Sequence, residues 1–332
     1  MRTRHLFSDT PSVDFVGKRL IAYGLSLLVL AVGALSLGLQ GLNLGIDFDG
    51  GVLMEVRSVP PVDVATVRSR IAPLDLGEVA IQDLDAAGDV LIRIERPKGG
   101  ESAYSATVAQ VRQALGTGFE VRRVDVVGPS VGREFFIAGI TATLAAVMSI
   151  TVYVVLRFEW QFGVAALMAT FHDVLATVGL LSILRLDFDL TAVAALLTLA
   201  GYSINDTIVV FDRIRETLRR YKRMPMADVV NVSVNATLKR TVLTSGMTLA
   251  ALLPLALMGG PALTTFSLTM VFGIVIGTFS SVYVAGALLL HLPPVRPDAI
   301  GGNLDAPGDA PPANLNAPSA GAGEPAPPRG TL

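Results

Sequence analysis

The sequence predicts a polytopic α-helical membrane protein with six transmembrane helices and one extracytoplasmic α+β domain of ferredoxin-like (βαββαβ) order between helices 1 and 2. The chain of 332 residues is 52% hydrophobic and only 16% charged, which is typical of a membrane protein with a soluble part. Predominantly apolar runs of about 20 residues, the length that a helix needs to cross a bilayer, recur along it. Between the first two runs lies a stretch of mixed polar and apolar residues, 43–132, which predicts the α+β domain.

Residues 1–18 are polar, contain several basic side chains and predict a cytoplasmic N-terminal arm. The apolar run that follows predicts the first transmembrane helix at residues 19–42. This run is longer than the core of a signal peptide, which has roughly 7 to 15 residues, so we expect an uncleaved helix. A signal peptide cleaved near the small residues Ala34 and Ser36 is the alternative.

Within the α+β domain, alternation of apolar and polar residues predicts strands, and helical spacing predicts two helices. The expected elements, in the order strand, helix, strand, strand, helix, strand, cover residues 52–57, 62–71, 79–84, 90–95, 103–115 and 119–127. This is the order of the split βαβ arrangement, which packs its helices against one antiparallel sheet.

Five further apolar runs within residues 133–292 predict transmembrane helices 2 to 6, at 135–156, 162–184, 188–211, 238–258 and 264–290. Basic residues concentrate in the connection between the fourth and fifth helices, whereas the connection between the third and fourth is net acidic. The positive-inside rule therefore predicts that both termini are cytoplasmic and that the α+β domain lies outside. Residues 293–332, rich in Pro, Ala and Gly, predict a disordered cytoplasmic tail.

Composition argues against several classes of function. The chain has no Cys and only three His, which share no spacing typical of a metal site. We therefore expect no metal, no redox cofactor and no zinc chemistry. Basic residues form no tract interleaved with aromatics, so we expect no nucleic-acid partner.

The most informative stretch is SINDTIVVFDRIRE, Ser203 to Glu216, in the predicted fourth helix. Its first acid, Asp206, has apolar sequence on both sides, and an acid at the centre of a membrane helix costs about 2.5 to 3.5 kcal/mol. Such a residue is typically paired or functional. The candidate partners are Arg213, two turns further along, and Arg240, at a similar depth in the fifth helix. A static ion pair and a proton relay, whose proton affinity changes with helix position, both remain open from the residues alone.

Further polar side chains in the predicted helices are candidates to support this site. Hydroxyl and amide groups able to hold water or join helices belong to Ser203, Asn205, Thr207, Thr244 and Ser245. Each alone is more typical of interhelical packing, worth about 0.6 kcal/mol. His172 and Asp173 form a second intramembrane ionisable site, for which proton entry and a structural hydrogen bond are the alternatives. An intramembrane aspartyl protease using Asp173 and Asp206 is disfavoured, because neither acid lies in the glycine-flanked motif of such enzymes.

Glycine-rich motifs follow the first predicted helix and recur in the sixth. In GIDFDGG, residues 45–51, the glycines permit tight turns, and we expect the acids to be solvated at the membrane interface. The motif is not a phosphate-binding loop, because no strand precedes it and the GxGxxG spacing is absent. Gly273 and Gly277 form a GxxxG, which predicts close helix packing.

Five motifs in order resemble the SecF family, the smaller half of the SecD–SecF accessory complex of bacterial protein export. They are GIDFDGG, VVGPSVG (126–132), SINDTIVVFDRIRE, TLKRT (237–241) and FGIVIGTFSSVYVAG (272–286). The resemblance implies half of a pseudo-twofold bundle related to resistance-nodulation-division transporters, completed by SecD in the bacterial plasma membrane. It also implies a transport factor, not an enzyme, that works beside the SecYEG channel on unfolded preproteins, with protons as coupling ion and no cofactor.

In that family the Asp of the SINDT motif and the Arg of the TLxRT motif are proton-pathway residues, and they match Asp206 and Arg240 here. SGMTL, residues 245–249, departs from the more Thr-rich string expected there. Protonation of Asp206 is expected to weaken its pairing with Arg240 and to shift the helices. The α+β domain would follow through hinge or tether residues of the two glycine motifs, namely Gly45, Asp47, Gly50, Gly51, Gly128 and Gly132. A non-catalytic scaffold of the translocon and a proton-coupled small-molecule efflux permease are the alternatives.

Overall fold

A computed structural model describes residues 13–84, 88–95, 103–259 and 261–293. The predicted tail beyond residue 293 and residues 1–12 of the predicted arm lie outside the described residues. The elements in chain order are α1 (Arg19–Gln40), β1 (Asn43–Leu44), α2 (Ile46–Asp49), β2 (Gly51–Ser58), α3 (Val64–Ile71), β3 (Glu78–Asp83), β4 (Asp89–Glu95), α4 (Ala103–Leu115), β5 (Phe119–Val127), α5 (Pro129–Arg157), α6 (Trp160–Ile183), β6 (Asp187–Phe188), α7 (Leu190–Arg220), α8 (Met226–Met258), α9 (Pro261–Ser280) and α10 (Gly286–Leu288). A 3-10 turn (Ala72–Leu74) follows α3, and a π-helical segment (Ser281–Ala285) joins α9 to α10.

Six of the described helices are long and apolar enough to cross a membrane: α1, α5, α6, α7, α8 and the helix that runs from α9 into α10. The predicted number of such helices is therefore confirmed. Three boundaries differ from the prediction by more than five residues: α5 begins at Pro129 and not at 135, α7 ends at Arg220 and not at 211, and α8 begins at Met226 and not at 238. The early start of α8 has a local cause, because its first turns mix valines with polar residues and so lack the uninterrupted apolar character by which a span is predicted. α7 begins at Leu190 because Asp189 caps it, accepting a hydrogen bond from the Ala192 amide (2.7 Å).

The central helices of the bundle are α6, α7 and α9, and the peripheral helices are α1, α5 and α8. In each central helix 56% of the apolar part is buried inside the protein, against 6% in α5. Small residues allow the closest helix contacts: Gly273 and Gly277 of α9 lie against Leu199 and Ser203 of α7. The GxxxG motif therefore packs closely, as predicted.

The α+β domain is a four-stranded sheet with two helices on one face. The strand order is β3-β4-β2-β5, and every neighbouring pair is antiparallel. Side chains of the central strands alternate between the two faces, so Val52, Met54, Ile92 and Ile94 are fully buried in the core that α3 and α4 share. The predicted order of elements is observed, and each boundary lies within two residues of its predicted position.

Candidate functional site

Asp206 lies in the interior of α7, about 24 Å from the Leu190 end of the helix at 1.5 Å per residue. Only 3% of the residue is exposed, and its Oδ2 atom has no hydrogen-bond partner. A buried polar atom without a partner lowers stability by about 1 to 3 kcal/mol. The carboxyl group is therefore held in an unfavourable environment with one oxygen available for a proton.

Arg240 lies on the neighbouring helix at a matching depth. Asp206 is 14 residues before the end of α7, and Arg240 is 14 residues after the start of α8, which a short turn joins to α7. Its guanidinium interacts electrostatically with the Asp206 carboxyl. In the part of the chain that the structure describes, no hydrogen bond joins the two, and Arg240 is exposed. The two charges therefore interact at a distance and not through a closed ion pair.

Arg213, the other candidate partner, bonds elsewhere. Its Nη1 atom donates to Oε2 of Glu216, 2.6 Å away and less than one turn further along α7. Both of these side chains are exposed. The static pairing of Asp206 with Arg213 is therefore not observed.

Asp173 of α6 is fully buried and joins the three central helices. Its Oδ2 atom accepts hydrogen bonds from Ser203 Oγ of α7 (2.5 Å) and Ser280 Oγ of α9 (2.7 Å). Its Oδ1 atom lies 2.9 Å from Nδ1 of His172, whose Nε2 atom has no partner. The structural hydrogen bond, one of the alternatives for His172 and Asp173, is observed, whereas proton entry stays a prediction. Ser203 was expected to lie beside Asp206 but donates its hydrogen bond to Asp173.

The remaining predicted polar residues mostly join helices or face outward. Thr244 donates to a backbone oxygen of its own helix (3.0 Å), and Ser245 hydrogen-bonds Thr278 of α9 (2.7 Å). Asn205 is exposed, and Thr207 is buried. None of these side chains donates to the unpartnered oxygen of the α7 carboxyl among the described residues.

The GIDFDGG motif forms the short helix α2 and contacts the start of α7. The Gly45 amide donates to the Phe188 carbonyl (2.8 Å), and a Cβ atom on Gly45 would lie 2.9 Å from that of Asp189. Oδ2 of Asp47 accepts a hydrogen bond from the Leu190 amide (3.0 Å) and so helps to cap α7. Asp47 is only partly buried and this hydrogen bond is exposed, so the carboxylate caps α7 while it remains accessible to solvent.

The two glycine motifs meet in space. Gly128 is the N-cap of α5, and a Cβ atom on Gly132 would lie 2.7 Å from the Phe48 carbonyl oxygen of α2. Gly50 and Gly51 have φ angles of 77° and 152°, which L side chains rarely adopt. Four of the predicted tether residues thus form one junction between the α+β domain, α2 and α5, whereas the other two, Gly45 and Asp47, contact the start of α7.

Three polar residues near this junction, Arg93, Asp187 and Asn43, were not predicted as site residues from the sequence. Arg93 of β4 donates to Oδ1 of Asp187 (2.7 Å), which also accepts from Nδ2 of Asn43 (2.6 Å). The signal that could have found Arg93 is its position between two core residues, Ile92 and Ile94. Alternation along the strand sends its side chain to the face away from the core.

Six helices of membrane-spanning length, which enclose buried ionisable side chains, define a polytopic helical membrane protein. Among the described residues, no group of three or more His, Asp or Glu is arranged to hold a metal. Residues 107–294 match the family model described as protein export membrane protein SecD/SecF, C-terminal, and residues 35–62 match the SecD/SecF GG motif. The chain belongs to the SecF family.

Individual relatives agree with this assignment. The protein translocase subunit SecF of Magnetococcus marinus is 46% identical over 87% of this chain and 94% of its own length. That of Cereibacter sphaeroides is 41% identical over 86% of this chain and 91% of its own length. The resemblance inferred from the five motifs is therefore confirmed.

Solved structures also match. SecDF from Thermus thermophilus, a translocon-associated membrane protein, superimposes with a TM-score of 0.76 and 35% identity over 86% of this chain. SecDF in a super-membrane-facing form matches with a TM-score of 0.65 and 37% identity over 88% of this chain. The chain spans 39% and 40% of the lengths of these two SecDF chains.

Proposed function

We propose that this chain is the SecF-type subunit of a SecD–SecF complex that uses the proton-motive force to promote preprotein translocation and release through the SecYEG channel. The observation that carries the proposal is the buried Asp206 carboxyl, with one unpartnered oxygen and the charge of Arg240 acting on it. Membership of the SecF family supports SecD as the partner, since the matching model describes SecD and SecF together. The role is transport and not enzymatic catalysis, with protons as the coupling ion and no cofactor.

The coupling step is the gain and loss of a proton at Asp206. Protonation removes the negative charge and with it the attraction to Arg240, which stays protonated throughout. The ionised and the protonated forms of Asp206 therefore favour different relative positions of α7 and α8. One proton crossing roughly 150 mV supplies about 3.5 kcal/mol. That free energy biases a two-state motion by a few hundredfold.

We place the protein in the bacterial plasma membrane with both termini in the cytoplasm and the α+β domain outside. Pairing of β1 with β6 supports this arrangement, because it puts the connection between α6 and α7 at the same end of the bundle as the domain. The connection between α7 and α8 then lies at the opposite end, where Arg219, Arg220 and Arg223 are found. Basic residues are favoured on the cytoplasmic side.

As part of this proposal the α+β domain is a ferredoxin-like module that holds the emerging preprotein. The strand order and the antiparallel pairing of all four strands support this assignment. The edge strands of this sheet are β3 and β5. An extended chain can add to a sheet edge through backbone hydrogen bonds, which depend little on its sequence.

The test is export of a secretory preprotein from energised membrane vesicles after ATP-driven insertion has begun. The levels of this chain and of SecD are kept the same in every variant. We expect Asp206→Asn and Arg240→Met to lose the gradient-dependent phase and to keep the ATP-dependent phase. A matched control is Asp212→Asn on the same helix, because that side chain is 53% exposed and lies 3.9 Å from Arg157. The control variant should export like the unchanged protein.

Normal export by both Asp206→Asn and Arg240→Met would mean that the charges are structural and that the chain is a scaffold. Gradient-driven movement of a small molecule, with preprotein export independent of this chain, would indicate the efflux permease. Loss of the gradient-dependent phase in both site variants, with the control intact, supports proton coupling.

A further inference from the structure

Arg93 extends its side chain from the α+β domain and binds β1 and β6, the short strands in the connections that follow α1 and precede α7. It lies in β4, a central strand, with its side chain on the face away from the core. Its Nη1 atom donates to Oδ1 of Asp187 (2.7 Å), and its Nη2 atom donates to the Leu44 carbonyl and lies 3.1 Å from Oε1 of Glu95. Only 9% of the side chain is exposed. A single guanidinium thus joins the domain to two segments outside it.

The two segments that Arg93 binds are themselves paired. Leu44 lies in β1, which follows α1, and Asp187 lies in β6, which precedes α7. The strands pair in parallel, and Nδ2 of Asn43 donates to the same Asp187 oxygen (2.6 Å). Two residues after β6 the chain enters α7 at Leu190. Arg93 therefore contacts the structure that fixes the start of the helix that contains Asp206.

The chemistry of the contact requires arginine. The planar guanidinium offers several donors at fixed angles and so reaches a carbonyl oxygen and a carboxylate at once, which the single ammonium of lysine does not reproduce. A charge buried to this degree is strongly unfavourable without partners. The contact therefore holds the domain in one orientation relative to β1 and β6.

We propose that Arg93 is a positioning residue, a latch that fixes the orientation of the α+β domain on the outer end of α7 and transmits displacement of α7 to the domain. We define this latch as Arg93 together with Asp187 and the Leu44 carbonyl. The transmission step rests on the proposed function, because proton transfer at Asp206 supplies the displacement. The latch itself rests only on the contacts of Arg93.

A matched control exists on the same face of the same sheet. Arg57 of β2 donates from Nε to Oδ1 of Asp89 in β4 (2.6 Å), and 30% of the Arg57 side chain is exposed. Both residues of this ion pair belong to the domain. Removing it alters the domain but breaks no bond to β1 or β6.

The first experiment measures orientation. The chain has no Cys, so spin labels can be attached to Ala106→Cys on α4 and Leu184→Cys after α6, both exposed positions. In the full chain assembled with SecD in lipid vesicles, we expect one narrow distance distribution. Arg93→Gln and Asp187→Asn should broaden or shift it, Arg93→Lys should restore it only in part, and Arg57→Gln should leave it unchanged. An unchanged distribution in Arg93→Gln overturns the latch.

The second experiment measures coupling, with the gradient-dependent export assay at equal abundance. Arg93→Gln should slow the gradient-dependent phase by about 2- to 30-fold, the range typical of residues that modulate coupling, with the ATP-dependent phase unchanged. Asp187→Asn combined with Arg93→Gln should be no slower than Arg93→Gln alone, because both changes act on the same Arg93–Asp187 contact and the asparagine oxygen can still accept from Asn43. An additive effect, or normal export by Arg93→Gln while Asp206→Asn is inactive, overturns transmission by the latch. Normal export by Asp206→Asn overturns the proposed function and leaves the distance measurement as the test of the latch.

Discussion

Replacement of Asp173 by alanine removes an acceptor shared by Ser203, Ser280 and His172. A side-chain hydrogen bond in a membrane protein is worth about 0.6 kcal/mol on average, so three such bonds amount to about 2 kcal/mol. The cavity left by the carboxyl group adds about 0.5 kcal/mol, because the site has no exposed surface. We expect the free energy of unfolding to fall by about 2 to 3 kcal/mol, a change of about 30- to 150-fold in the unfolding equilibrium.

The informative comparison is Asp173→Asn, which keeps the size of the side chain and one acceptor oxygen. The new amide can donate to a serine hydroxyl that turns to accept, so we expect a loss below about 1 kcal/mol. Denaturant titration of the purified chain, followed by fluorescence of Trp160 at the start of α6, measures both values. Equal losses in the alanine and asparagine variants, or a loss below about 0.5 kcal/mol for alanine, would refute the argument that these hydrogen bonds stabilise the bundle.

Three further predictions concern other contacts. Gly179→Val should lower stability by about 1 to 3 kcal/mol, because a Cβ atom there would lie 2.7 Å from the Cα atom of Gly33; thermal unfolding measures it. The side-chain hydrogen bonds from Arg57 hold the pKa of Asp89 below its usual 3.8, so the stabilisation is present above about pH 4 and is lost as the pH falls through the lowered pKa. Asp89→Asn should remove this acid-dependent loss from amide exchange in β2. Asp47→Ala should lower protection of the first turn of α7 by about 1 kcal/mol in hydrogen exchange, and Asp47→Asn, which keeps an acceptor oxygen, should lower it less.

Local patterns were sufficient for much of the fold because their physical causes are local. A long run without charge satisfies its backbone within one helix and reads directly as a membrane span. Alternation over a few residues identified all four strands of the domain sheet. Asp206 was found because an acid inside an apolar run is costly wherever it lies. The start of α8 was misplaced because its first turns mix valines with polar residues, and the mean hydropathy of such a segment does not distinguish a helix from a loop.

The sequence by itself determined the six spans, the order of the domain elements, the close packing of Gly273 and Gly277, and the unusual depth of Asp206. Only the tertiary structure decided the hydrogen-bond partners. Ser280 and Asp173 are 107 positions apart in the chain, and Arg93 and Asp187 are 94 apart. A hydrogen bond requires its atoms to approach within about 3 Å, and residue type and spacing along the chain do not specify which distant groups do so. For that reason the sequence identified the buried charge, whereas the contacts that join the helices and attach the domain emerged only from their packing.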